Sequence, residues 1–141
     1  MKSLNLYLTE SLDNTARIFI IIKPGFFKYA KQILDKFAES GWGIERQTSK
    51  KLTLKEAHTI YNVHKKEPWY KELCQYMASD ITTGFMLIDK TRKMSPDIFK
   101  ETDSIKDEIR DTYGESEMRN VMHSSSDMEG MKKEASIYFV F

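Results

Sequence analysis

The chain has a single cysteine, Cys74. A lone thiol makes no intrachain disulfide, so a disulfide scaffold is excluded and a reducing compartment, the cytoplasm, is expected. No apolar run reaches the ~18 residues that a membrane helix needs. Met1 to Glu10 lacks the basic-then-apolar order of a signal peptide. Neither charge is in excess: Lys+Arg is 22 and Asp+Glu is 21, a net of +1. That balance argues against a nucleic-acid or membrane surface, so any anion site has to be local. Repeats, linkers and low-complexity segments are absent. So are several catalytic signatures. There is no G-x-x-x-x-G-K-S/T, which excludes a P-loop protein, and no G-x-G-x-x-G behind a strand. No Cys/His set has zinc spacing, and no G-x-S-x-G elbow occurs.

What is present is a chain of 141 residues, the size of one domain and long enough to bury a core unaided. Arg17 to Ile22 is β-branched and apolar on both faces, which predicts a central buried strand ended by Lys23, Pro24 and Gly25. Phe27, Ala30, Ile33, Leu34, Phe37 and Ala38 then share one face of a predicted helix, which Gly41 and Gly43 stop. Residues 44–51 fit a polar, partly exposed strand. Thr53 and Glu56 form a capping box opening a helix to Tyr61. Pro68 suits the first turn of a third helix with Trp69, Leu73, Tyr76 and Met77 inward. Residues 81–89 predict the next strand. Residues 90–119 are polar and give no regular pattern, and 120–125 could be strand or loop. Ser126 and Glu129 suggest a short helix to about Glu134, followed by an extended apolar tail over 136–141. Strands alternating with helices argue a layered α/β or α+β sandwich.

Of three histidines, His58 and His64 lie among polar residues and read as solvated. His123 ends an apolar segment just before a predicted helix N-terminus, where backbone N–H groups favour negative charge. It is therefore either a satisfied core histidine or a nucleophile or acid/base group. Lys23 ends a buried strand, where ligand-facing residues of layered folds gather; a lysine snorkelling off the strand end is the alternative. Trp69 beside Pro68 could stack on a base or pack in the core. Arg110 and Asn120 flank the irregular stretch and could meet phosphate or ribose. Met118, Met122, Met128 and Met131 read as packing residues.

Taken in order, these segments resemble the nucleoside diphosphate kinase family. Ile20-Ile21-Ile22-Lys23-Pro24 matches that family's strand ending in Lys-Pro. The run from Tyr61 through Lys66 to Pro68-Trp69-Tyr70 matches its Tyr…Lys…Pro-aromatic-aromatic segment. Ile109-Arg110 resembles its Ile-Arg, and Asn120-Val121-Met122-His123-Ser124-Ser125 its Asn-x-x-His-x-Ser signature. Glu134 precedes an apolar-aromatic tail, as in the family. The similarity covers residues 16–141, with 1–15 as an N-terminal extension in which 4–8 could add an edge strand.

The resemblance implies an α+β, ferredoxin-like βαββαβ sandwich with helices on one antiparallel sheet. It implies transfer of the terminal phosphate of ATP or another nucleoside triphosphate to a nucleoside diphosphate, in ping-pong fashion through a phosphohistidine on His123. Lys23, Tyr61, Arg110 and Asn120 would hold or orient phosphates and ribose. Thr102 would stand for the family's phosphate-binding Thr, Trp69 would stack on the base, and Ser125 and Glu134 would orient the imidazole. Mg2+ would arrive on the nucleotide phosphates and not in a protein cage. The chain departs from the pattern at Gly25-Phe26, where the family has Asp-Gly or Asp-Ala. It departs again at Ser124 for Gly and at Ser126 for Asp. The family's upstream nucleotide-binding Arg has no clean match; Arg92, Lys93 and Lys100 are candidates. The loop before Ile-Arg, placed at 99–108, is shorter than the family's and dense in charge. The resemblance implies a homo-oligomer with a dimer as its basic unit, and such a loop would leave the dimer as the robust unit and any larger assembly weaker than is usual for the family. The alternatives are a catalytically weak relative that binds nucleotides for regulation or assembly, and a plain interaction module of the same fold.

Overall fold

From Ala16 to Ile22 every residue of the first strand is buried, as β-branched side chains on both faces predict. The computed structural model, which describes residues 14–140, shows why. Strand β1 (Thr15–Ile22) lies inside a four-stranded antiparallel sheet, between β3 (Thr82–Lys93) and β4 (Met122–Ser124), and β2 (Gly43–Lys50) pairs with the far side of β3. Five helices cover the sheet: α1 (Ala30–Ala38), α2 (Leu54–Ile60), α3 (Tyr70–Met77), α4 (Pro96–Tyr113) and α5 (Met128–Tyr138). The strand order β2-β3-β1-β4 is the ferredoxin-like α+β arrangement, with the α2–α3 pair inserted before β3 and α5 added after β4.

Alternation along β1 builds two cores. Ile18, Ile20 and Ile22 point to one face and meet Phe26, Ile33, Phe37, Ile98, Ile105 and Ile109 from the side of α1 and α4. Phe19 and Ile21 point to the other and meet Ala57, Ile60, Leu73, Met77, Met131 and Tyr138 from α2, α3 and α5. Each such fully buried branched side chain contributes about 1.5–3 kcal/mol. The second face carries the chemistry, so what fixes α5 on it matters. A Cβ on Gly84 would come within 2.8 Å of the Tyr138 ring, so only glycine lets that ring lie against β3. The Tyr138 and Thr82 hydroxyls then hydrogen-bond at 2.5 Å. One turn earlier on the same helix stands Glu134.

The capping box forms as the spacing predicts: the Glu56 N–H donates to Thr53 Oγ1 at 3.1 Å and the Thr53 N–H to Glu56 Oε1 at 2.9 Å. Elsewhere the structure corrects the sequence reading. Within residues 90–119 only 94–95 and 114–119 are irregular, because β3 runs to Lys93 and α4 fills 96–113. Helix α4 starts after extended Ser95 with Pro96 in its first turn, and buries Ile98, Thr102, Ile105 and Ile109 at spacings of 4, 3 and 4. This stripe is one residue wide and includes a threonine, so the charged outer face hides it. The segment 99–108 is therefore helix and not a shortened loop, which removes the premise for a weakened larger assembly. Helix α5 is capped by Asp127, which accepts from the Gly130 N–H at 2.7 Å, and runs to Tyr138. The expected Ser126 cap and extended tail are thus displaced. Phe27 is exposed, and Phe26 takes the core position instead. Pro68 precedes the α3 cap, Trp69, which faces outward. The suggested strand at 4–8 lies outside the described residues. Among those residues no helix is long and apolar enough to cross a membrane.

Candidate active site

His123 sits in the middle of β4, opposite Ile21 of β1, and so on the face shared with α2, α3 and α5. Three groups surround its imidazole. The Tyr61 ring stands edge-on at 5.2 Å between centroids. Nε2 makes a short hydrogen bond to Glu134 Oε1, and Ser125 Oγ donates to that same oxygen at 3.1 Å. The Ser125 N–H is itself pinned to the Phe19 carbonyl at 3.2 Å. A carboxylate on Nε2 fixes the tautomer with the proton there and leaves Nδ1 with its lone pair. Nδ1 has no hydrogen-bond partner among the described residues. Burial pushes the imidazole pKa below its ordinary value; Glu134 opposes the shift, and the charges of Lys23 and Lys106 reinforce it. The ring is thus neutral at neutral pH, as a nucleophile has to be. Just upstream, Val121 has φ 85°. Positive φ in a β-branched residue is strained, and its carbonyl accepts the Lys23 N–H at 2.9 Å.

Lys23 leaves the end of β1 on the same side. Its ammonium donates to Asn120 Oδ1 at 2.6 Å and to the Met118 carbonyl at 3.3 Å, and lies 5.9 Å from the centre of the Tyr61 ring. Asn120 Nδ2 donates to the Glu117 carbonyl at 2.7 Å, which holds the amide in place. Among the described residues no carboxylate touches Lys23. Burial, and then the charges of Arg110 and Lys106, pull its pKa down to about 7. Arg110 reaches from the end of α4 and donates through Nη2 to the Met122 carbonyl at 2.7 Å. Among the described residues its Nε is buried without a partner, and so is the Tyr61 hydroxyl. Orphaned buried donors are uncommon and costly. Beside Lys23 and Arg110, a bound anion would give both donors a partner.

The structure thus brings together His123, Lys23, Tyr61, Ser125, Glu134, Arg110 and Asn120. It does not bring in Thr102, which is buried in the α4 core stripe with its hydroxyl donated to the Ile98 carbonyl at 2.8 Å. Trp69 stands apart on the α2–α3 connection, 44% exposed, with its ring 5.1 Å from that of His64. Arg92 is consumed by Asp89 and Glu101. Lys100 is solvated, with side-chain exposure of 84%. Sequence reasoning missed Lys106, whose charge acts on both Lys23 and His123. The signal was its place four residues before Arg110, visible only once 96–113 is read as helix.

Comparison with known proteins points to one family. The family model described as nucleoside diphosphate kinase matches residues 16–140. The nucleoside diphosphate kinase of Jannaschia sp. is 32% identical over 130 residues, covering 87% of this chain and 92% of that one. The Helicobacter pylori (strain Shi470) enzyme is 28% identical over 129 residues, covering 87% and 94%. Among solved structures, the Aquifex aeolicus nucleoside diphosphate kinase superposes with a TM-score of 0.75 at 25% identity, covering 89% of this chain and 96% of that one. A match over nearly the whole described chain, together with a relative above 30% identity, places the chain in the nucleoside diphosphate kinase family.

Proposed function

We propose that the chain moves the terminal phosphoryl group of a nucleoside triphosphate to a nucleoside diphosphate through a phosphohistidine on His123. The observation that carries the reading is the tether of Nε2 to Glu134, which leaves the lone pair of Nδ1 available beside Lys23 and Arg110. Nδ1 attacks the terminal phosphorus, an N–P bond forms, and the bond from that phosphorus to the bridging oxygen breaks. The electron pair leaves on the bridging oxygen, now part of the diphosphate product. A second diphosphate reverses the step, so one site serves donor and acceptor in turn. Glu134 stabilises the imidazolium charge that grows as Nδ1 bonds, and Ser125 keeps that carboxylate oriented. Lys23, Arg110 and the Tyr61 hydroxyl meet charge spread over the phosphate oxygens, where positioning and cations supply most of the catalysis.

No group of three or more described His, Cys, Asp or Glu residues could hold a metal ion. The one carboxylate in contact with His123 is committed to the imidazole and Ser125. These residues therefore do not build a magnesium cage; Mg2+ would come as part of the nucleotide substrate. Asn120 would orient Lys23, and exposed Trp69 offers a face for any base. Strand β2, at the sheet edge, suits pairing with a second copy of the chain as a dimer. Initial rates measured at several fixed diphosphate concentrations should give the parallel double-reciprocal lines of a ping-pong reaction. His123→Ala should abolish transfer while the fold survives. Intersecting lines, or an active His123→Ala enzyme, would remove the reading and favour a nucleotide-binding relative without phosphoryl transfer.

A further inference from the structure

The side chain of Lys106 is only 14% exposed, unusual for a lysine on the outer layer of a sandwich. Its carboxylate partner, Asp103 at 3.2 Å, is three residues back on the same helix and half exposed. Such a pair within one exposed helix turn holds a lysine weakly. Helix α4 ends at Tyr113, so Lys106 lies about two turns inside it, beyond the last turn where a cation gains from the helix dipole. Neither bland reason accounts for an ammonium drawn inward.

Its position in the helix does. Residues four apart share one face, about 6 Å apart along the axis, so Lys106 stands directly behind Arg110. The Arg110 guanidinium binds the carbonyl of Met122, the residue before His123. The charge of Lys106 is felt at both Lys23 and His123. Lys106, Arg110 and Lys23 therefore share this end of the site; Asp103 and Asp107 face the α4 cations from the helix itself, Glu134 is engaged by His123, and Arg110 Nε and the Tyr61 hydroxyl have no partner among the described residues. We propose that Lys106 is a further phosphate-binding residue of this site, set by α4 beside Arg110 so that the two cations grip the phosphate chain of the bound nucleotide from a rigid helix. The inference rests on the phosphoryl-transfer reading of the same site.

Two measurements test it. In the first, Lys106→Met and Lys106→Arg are compared with the wild type for binding of ADP and AMP by calorimetry and for the rate of phosphoenzyme formation from ATP. The Met variant should lose about 10- to 100-fold for ADP, the range of a charge-assisted hydrogen bond. It should lose less for AMP, and the Arg variant should recover most of both. A structural role would lower thermal stability and weaken both nucleotides alike. In the second, wild-type protein is acetylated with and without saturating ADP and each lysine is read by mass spectrometry, so no variant has to fold. ADP should protect Lys106 and leave Lys100, on the same helix and solvated, as reactive as before. An unprotected Lys106, or a Met variant with wild-type ADP affinity, overturns the proposal. Wild-type protein that takes no label from ATP overturns the parent reading as well, whereas normal labelling in wild type and Lys106→Met alike sinks only the role of Lys106.

Discussion

Two charged clusters lie at different places on this sheet, and they are built on opposite rules. Around Arg92 every donor has an acceptor. Nε reaches Asp89 at 2.7 Å, the two terminal nitrogens reach Glu101, and Nη2 also meets the Ser40 carbonyl at 3.2 Å. The guanidinium lies 4.9 Å over the Trp42 ring, whose Nε1 donates to Glu101 at 3.2 Å. Thr91 holds the Asp89 carboxyl, and Arg92 the Glu101 carboxyl, below their usual range. This cluster is closed and ties the end of β3 to α4. Around His123, Lys23 has only neutral acceptors, and Arg110 Nε and the Tyr61 hydroxyl have none among the described residues. The first arrangement stabilises the fold. The second costs stability, which the proposed reading offsets with a bound phosphate.

The strongest way to break the comparison is to remove the central cation of each cluster. Lys23→Met should lower phosphoryl transfer by about 100-fold or more, as loss of a transition-state donor does. Its thermal stability should hold or rise, because a buried charge without a counter-ion is gone. Arg92→Met should do the reverse. It should cost about 1–3 kcal/mol, because its carboxylates lose their donors, while transfer stays near wild type wherever the protein is folded. Thermal melts and steady-state rates on both variants check the crossing; parallel effects would mean that the clusters are not separate in kind.

A smaller effect is expected with pH. The folded pKa of Lys23, about 7, is below the ordinary lysine value of 10.5. Between these values the unfolded chain binds the extra proton, so stability rises with pH across that window. The wild type should gain on Lys23→Met over this range. A bound phosphate favours the protonated lysine, so ADP binding at pH 8 should take up a fraction of a proton, measurable by calorimetry in two buffers of different ionisation enthalpy. On the acid side the depressed carboxylates of the Arg92 cluster give a slope of the same sign in a lower window, and their contribution is lost as pH falls through their depressed values. Zero proton uptake at pH 8 would contradict the open character of the His123 site. Trp69→Ala lies outside both clusters and is expected to weaken nucleotide binding by ~1–3 kcal/mol if the indole stacks on the base. Nucleotide should quench Trp69 and leave Trp42, buried in the closed cluster, unchanged; a signal that follows Trp42 would count against the assignment.

Much of this was legible before the structure. The both-faced apolar run of β1, the Thr53–Glu56 box and the glycine stop at Gly41 depend on neighbours in sequence, and they fold as read. Helix α4 was not legible, because its core stripe is narrow and its charges pair along the helix, as Asp103 with Lys106 and Asp97 with Lys100. That one miss concealed Lys106 and made 99–108 look like a loop. His123, Lys23, Asn120 and Glu134 were named from motif order, and they do converge. Which histidine nitrogen is tethered, which donors are orphaned and the strain at Val121 are properties of packing across the sheet, and no local pattern encodes them. Thr102 shows the converse: a residue type that suited the motif was claimed by the Ile98 carbonyl and the core.

The central claim is that Glu134 commits Nε2 and leaves Nδ1 to accept the phosphoryl group. It is tested most directly on the isolated phosphoenzyme. Protein incubated with ATP is separated from nucleotide, and the phosphorus is located by phosphorus–proton NMR couplings and by peptide mapping. The label should be acid-labile, confined to His123 and bonded to Nδ1. Phosphorus on Nε2, or on any residue other than His123, would contradict the account.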